Sequence, residues 1–335
     1  MKKHIDRYVL FSIILSGLLN SCLLATIEPE NWGGSFCNRE GVQIWYRVEG
    51  NLNSENTPIL LIHGGPGATA YPFEKTIGPL LARNRPVIYM DYRGSGRSDR
   101  PNSPDAYSFE ILAADAEHIR QKLGIEKWAV FGHSNGGATA LTYACNYPSP
   151  TVSLLLCDPL LSAEDLQINM INKVLMSPPD RYVAARETYQ SDRSMEDKFS
   201  TLLELIDQET RYRFQYYRAE SSDVLNQIQN ELSERMQRGL MAPQLIQGLI
   251  QNGFFEFDAH ALASDLNMPI LLLLGRYDCE ISLDNAKRFA MEIRNGYVEF
   301  FDKSGHHPYL EETEKCSKVI ESFLQAEADD SHDGQ

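Results

Sequence analysis

Apolar runs of strand length recur along the chain at residues 42–48, 58–62, 86–90, 127–131, 151–157, 269–274 and 297–301. Between them the period changes. Residues 108–123 carry apolar positions at helical spacing and stop at Gly124, 138–147 form a small-residue helix before Pro148, and 284–294 and 311–326 are further helices. Short apolar strands alternating with helices predict an α/β fold, a mostly parallel sheet covered on both faces.

One stretch breaks the alternation. From Asp158 to about Phe257 no strand-like run occurs, and helical patterns such as FSTLLELIDQETRYRFQYY and SDVLNQIQNELSERMQRGL dominate. About a hundred residues of helix between two core strands predict an inserted cap or lid, because removing it leaves the strand order intact. The expected organisation is a core in two parts, 22–158 and 258–326, with a helical cap at 159–257. An acidic, polar tail (EADDSHDGQ, 327–335) is expected to be disordered.

Composition narrows the picture. The chain has 335 residues, 43% hydrophobic and 23% charged, as expected of a folded globular protein. A net charge of −15 and no long basic run disfavour a nucleic-acid partner. Lys2, Lys3 and Arg7 precede about a dozen mostly apolar residues, which makes 1–21 a candidate secretory signal. Ser21-Cys22 resembles a bacterial lipoprotein cleavage box with Cys22 as the lipidated residue, although Asn20 is an unusual occupant. Export is therefore expected, as a periplasmic, lipid-anchored or secreted protein. The six cysteines show no C-x-x-C spacing and no zinc-finger histidines, so no metal is expected, and Cys145, Cys157 and Cys279 read as buried small hydrophobes.

Against this background one pentapeptide carries chemistry. Gly132-His133-Ser134-Asn135-Gly136 lies between a strand and a helix, and the G-x-S-x-G spacing lets a serine occupy a sharp turn with its hydroxyl raised above the sheet. A serine nucleophile needs a base, and the base an orienting acid. Along the chain the acid is expected before the base, each in a loop after a strand. Asp278 follows the 269–274 strand and His306 follows the 297–301 strand. Glu280 and Asp158 are alternative acids, and His307 competes with His306. His63 is expected to tie a loop, His133 to pack beside the turn, and His118 and His260 to be ordinary helix or surface residues. Gly65, within Ile62-His63-Gly64-Gly65-Pro66-Gly67, and the amide of Asn135 are the candidate oxyanion donors.

The His63-Gly64-Gly65-Pro66-Gly67 loop, the Asp91-Tyr92-Arg93-Gly94-Ser95-Gly96-Arg97-Ser98 segment and the serine turn together resemble the α/β-hydrolase superfamily, and within it the prolyl aminopeptidase (proline iminopeptidase) family. The resemblance covers 42–158 and 258–323. It implies an α/β-hydrolase fold, a serine hydrolase without a cofactor, Asp278 as acid, Gly65 as oxyanion donor, and His306 as base through the pattern Gly305-His306…Glu311. It further implies that cap carboxylates hold the substrate's free amino terminus, with Glu204, Glu209, Glu220, Glu231 and Glu234 as candidates. The aromatic residues Tyr212, Phe214, Tyr216 and Tyr217 are expected to pack within the cap. Asn135 and Tyr92 depart from the family's usual tryptophan and glutamine, which leaves the substrate open. A small peptide processed by an aminopeptidase is the first expectation and a small ester processed by a carboxylesterase or lipase-like enzyme the second. A ligand-binding homologue without catalysis is the third. Serine at 134 excludes the carboxylate nucleophile of haloalkane dehalogenases and epoxide hydrolases.

Overall fold

The computed structural model describes residues 34–175, 178–206, 214–232 and 243–333; residues 1–21, Cys22, Glu209, Tyr212 and Glu234 lie outside them. The strands are β1 (Ser35–Arg39), β2 (Val42–Glu49), β3 (Ile59–Ile62), β4 (Val87–Met90), β5 (Trp128–His133), β6 (Thr151–Cys157), β7 (Ile270–Gly275) and β8 (Gly296–Phe301). The helices are α1 (Tyr71–Lys75), α2 (Gly78–Leu81), α3 (Phe109–Lys122), α4 (Asn135–Asn146), α5 (Ala163–Val174), α6 (Pro179–Gln190), α7 (Met195–Leu205), α8 (Ala219–Asn230), α9 (Pro243–Gln251), α10 (Leu283–Glu292), α11 (Pro308–Glu311) and α12 (Thr313–Asp333).

The strands form one sheet in the order β1-β2-β4-β3-β5-β6-β7-β8. β1 and β2 run antiparallel to their neighbours, and every pair from β4 to β8 is parallel. All residues of β3, β4, β5 and β7 are buried, as strands between two helix layers require. On one face Leu112, Leu141 and Phe289 pack against Leu60, Val130 and Leu272. On the other, Phe73, Leu81 and Ile320 pack against Leu61, Tyr89 and Phe131. Serines start the helices where the sequence switches period: Ser108, Ser162, Ser194 and Ser282 each accept a backbone N–H three residues on.

The cap is inserted between β6 and β7, which are adjacent and parallel, so the sheet is continuous beneath it. It has its own apolar core, including Met170, Val174, Phe199, Leu202 and Ile246. The chain leaves and re-enters the core side by side: Ser162 bridges Asp258, and the Ala259 amide donates to Leu161 O at 2.7 Å.

Three features differ from expectation. β1, SFCNR, carries only one buried side chain, Cys37, and its short edge pairing with β2 is too weakly patterned to be read from sequence. The pattern beginning at Phe199 does not continue as one helix: α7 ends at Leu205 and Ile206 turns extended, because burying Ile206 in the cap core takes precedence over helix continuation. Finally, α12 runs on to Asp333, through residues expected to be disordered. No proline or glycine interrupts it before Gly334, and extending a formed helix costs far less than starting one.

Candidate active site

Ser134 sits between β5 and α4 with φ 54° and ψ −125°, a conformation that side-chain-bearing residues rarely adopt. The surroundings enforce it. Its N–H donates to Cys157 O at 3.0 Å, and its carbonyl accepts from Gly137 and Leu160 at 2.8 and 2.9 Å. The flanking glycines are steric necessities: a Cβ on Gly132 would lie 2.4 Å from Gly136 O, and one on Gly136 would lie 2.5 Å from His63 O. The turn therefore packs onto the β3 loop so closely that only hydrogens fit.

Asp278 and His306 arrive from the loops after β7 and β8. His306 Nδ1 and Asp278 Oδ2 are 2.8 Å apart, with both side chains buried. The other oxygen of Asp278 accepts from the amides of Glu280 (2.6 Å) and Ile281 (3.3 Å). Burial disfavours charge on His306, but the Asp278 charge and hydrogen bond, with a smaller contribution from Glu280, outweigh it and raise the imidazole pKa above its ordinary value. His307 instead stacks on Tyr216, at 4.9 Å between centroids, and faces Tyr309. Burial, then the charges of His133 and His306, hold it well below the ordinary imidazole value.

His133 and His63 brace the site, whereas His118 meets Asn38 O and His260 meets Glu292 and Asn285 away from it. His133 Nε2 bonds His306 O at 2.8 Å, and burial followed by the His306 charge lowers its pKa to about 3, so it donates as a neutral ring. His63 Nε2 accepts from the Tyr92 amide at 3.2 Å, which leaves Nδ1 to donate to Gly64 O at 2.8 Å. The Asp91–Ser98 segment is structural. Asp91 receives Arg97 Nε at 2.6 Å and the Ala70 amide at 2.8 Å, and Arg97 also reaches Glu74 at 2.6 Å. Glu311 accepts from the Gly305 amide at 2.7 Å and from the Tyr217 and Arg218 amides, tying the histidine loop to the cap.

Two cavities meet at Ser134 and share Gly65, Ser134, Gln215 and Glu280 in their walls. The first, about 760 Å³ and partly open to solvent, adds Asn135 and an apolar wall that includes Leu160, Met170, Phe199 and Leu203. The second, about 700 Å³, adds His306, His307, Tyr216 and Tyr309. Asn135 opens α4, so its amide is among those with no intrahelical acceptor, and Gly65 turns with φ +122° beside it.

Among the described residues the carboxylate in these walls is Glu280 and not a cap glutamate. Glu204 and Glu220 are exposed and line neither cavity, since they lie on the solvated faces of α7 and α8. Glu231 pairs with Lys75 and Tyr71, each at 2.7 Å. Instead Glu280 Oε1 receives Lys173 Nζ at 2.8 Å and Gln215 Nε2 at 3.0 Å, while Oε2 faces His306 Nε2 at 3.6 Å. Burial opposes its charge, but Lys173 and then His306 overcome it and depress the carboxyl pKa. Sequence reasoning named Glu280 only as an alternative acid and missed Lys173 and Gln215, which carry no local signature. Phe214 and Tyr216 are buried, Tyr217 is exposed against Tyr277, and Cys279 is exposed rather than buried because its loop lies at the surface.

Residues 57–313 match the family model described as the alpha/beta hydrolase fold. Among curated proteins, the proline iminopeptidase of Heyndrickxia coagulans is 26% identical over 276 residues, 81% of this chain and 92% of that protein. That of Saccharolobus solfataricus is 24% identical over 290 residues, 85% and 89%. Among solved structures, a proline iminopeptidase-related protein from Thermus thermophilus superposes with TM-score 0.71 at 19% identity, covering 88% of this chain and 97% of that one. An esterase from Exiguobacterium antarcticum superposes with TM-score 0.58 at 19% identity, covering 87% and 99%.

Proposed function

The chain belongs to the α/β-hydrolase family, and from that premise we propose that it is a serine hydrolase, an aminopeptidase that releases an N-terminal proline or similar small residue. The observation that carries the reading is the buried 2.8 Å contact between His306 Nδ1 and Asp278, whose imidazole shares a cavity wall with Ser134 and Gly65. His306 takes the Ser134 proton on Nε2 as Oγ attacks the scissile carbonyl. The Gly65 and Asn135 amides hold the oxyanion, each contributing about 3 kcal/mol to the transition state. The proton passes to the leaving amine, and water then attacks the acyl-enzyme with His306 again as base.

The substrate's α-ammonium needs an anion within reach of the scissile carbonyl. Glu280 supplies one, because Oε2 faces the same Nε2 that serves Ser134. Both curated relatives reported above carry the name proline iminopeptidase, which favours this substrate class.

A second reading is supported by a different observation. The wall of Leu160, Met170, Phe199 and Leu203 is apolar and lies beside Ser134, which suits the apolar acyl group of a carboxylesterase substrate. The test is release of arylamine from a prolyl-arylamide beside hydrolysis of a short-chain aryl ester, with Ser134→Ala as control. Serine-dependent amide cleavage supports the aminopeptidase. Ester cleavage alone transfers the assignment to an esterase.

A further inference from the structure

Behind the acid of the site lies a second carboxylate that the mechanism above does not use. Asp158 follows directly on β6 with φ +40°, and its side chain is fully buried. Its amide donates to Leu273 O at 3.0 Å, and its carboxyl oxygens accept from the Gly275 amide at 3.0 and 3.3 Å. One carboxyl oxygen each of Asp158 and Asp278 and one His306 nitrogen lie within 4.8 Å of one another. Two carboxylates whose oxygens lie within 4.8 Å, both sealed from water, strongly disfavour being ionised together.

Counting donors decides which one holds the proton. Asp278 receives three N–H groups, from His306, Glu280 and Ile281. Asp158 receives one, from Gly275. The anion belongs where the donors are.

We propose that Asp158 is a positioning residue that stays protonated at neutral pH and donates its O–H to Asp278, fixing that carboxylate for His306 and taking up part of its charge. The groups facing Asp158 are Asp278 and His306, Glu311 at the end of α11, and the thiols Cys157 and Cys316. Of these only His306 can become positive, and it is already engaged by Asp278. Burial and the Asp278 charge accordingly drive the Asp158 pKa well above the ordinary carboxyl value. The hydrogen bond moderates how far Asp278 raises the His306 pKa, so losing it makes His306 more basic.

Infrared difference spectroscopy of the full chain, wild type minus Asp158→Asn at neutral pH, is expected to show a protonated-carboxyl C=O stretch that the variant lacks. No such band would overturn the proposal, and this measurement does not depend on any activity. The kinetic arm rests on the serine-hydrolase reading. Asn keeps an acceptor for Gly275 and an N–H donor for Asp278, so Asp158→Asn should retain kcat within about twofold with its acid limb unmoved. Asp158→Ala should lose about tenfold in kcat, with the acid limb of kcat/KM shifted up by roughly one pH unit. An unmoved limb in the alanine variant, or an asparagine variant as impaired as alanine, contradicts the assigned role. If Asp158→Ala does not fold, the asparagine profile and the infrared band decide. A wild type inactive on every ester and amide would sink the serine-hydrolase reading, while the band would still report the proton.

Discussion

The core and the cap solve different problems with different kinds of information. In the core, every candidate reactive group stands in a loop at the carboxyl end of a strand: Gly65 after β3, Ser134 after β5, Asp278 after β7 and His306 after β8. The backbone is so confined there that two glycines admit no Cβ. The cap, by contrast, is packed around its own core and reaches the site through side chains, with Met170, Phe199 and Leu203 in the cavity wall and Lys173 and Gln215 touching the core's Glu280. In the proposed function, reactivity belongs to the strand ends and selection to the seam between core and cap.

The severest test of that division is Ser134→Ala, expected to lower kcat/KM by about 10⁴-fold or more on any substrate with the fold intact. Asp278→Asn should follow with a loss approaching 10⁴-fold and a displaced pH profile. In the proposed mechanism turnover requires neutral His306, whose pKa is raised because Asp278 outweighs the effect of burial, so wild-type activity is expected to fall as pH drops through a value above that of free imidazole. Without the carboxylate that limb moves to lower pH, readable in kcat/KM against pH. Gly136→Ala places a Cβ 2.5 Å from His63 O and is expected to cost about 3 kcal/mol, measured by denaturant unfolding, with loss of the turn.

At the seam the effects become selective. Glu280→Gln should raise KM for the prolyl-arylamide about tenfold while leaving an aryl ester without an amino group nearly unchanged. Equal damage to both substrates would show that Glu280 serves structure rather than selection. The smallest effect tests the cap directly: Glu204→Gln and Glu220→Gln, on exposed faces, should leave kcat/KM for the amide within about twofold. A large loss there would return the amino-terminal contact to the cap.

The same contrast explains what could be read in advance. Strand alternation and the serine turn are local signals, written in consecutive residues by burial and by steric exclusion. Choosing His306 over neighbouring His307 was beyond local sequence and rested on a family resemblance. The structure supplies the physical discriminator, since only His306 meets Asp278 while His307 packs among rings. Glu280, Lys173 and Gln215 were illegible as a group because the contacts span 107 and 65 residues of sequence. The cap glutamates are ambiguous for the opposite reason, since a solvated helix face and a binding carboxylate have the same composition; Glu204 and Glu220 are exposed and line neither cavity. Asp158 reads from the sequence only as a rival acid, because its place behind Asp278 follows from the register of β6 and β7.

The stitching between cap and histidine loop has a consequence for protein engineering. The His306 amide donates to Gln215 O at 2.7 Å, the Cys279 amide to Phe214 O at 3.2 Å, and the Tyr217 and Arg218 amides reach Glu311. Every cap partner in these contacts is a main-chain atom. These four tethers follow the main-chain path of the cap segment, beside the side-chain bond from Gln215 to Glu280, so a chimera bearing a foreign cap with the same trace at 214–218 retains all four of them. A cap that keeps this trace together with Lys173 and Gln215 is then expected to dock as a unit, with the rest of its sequence open to variation.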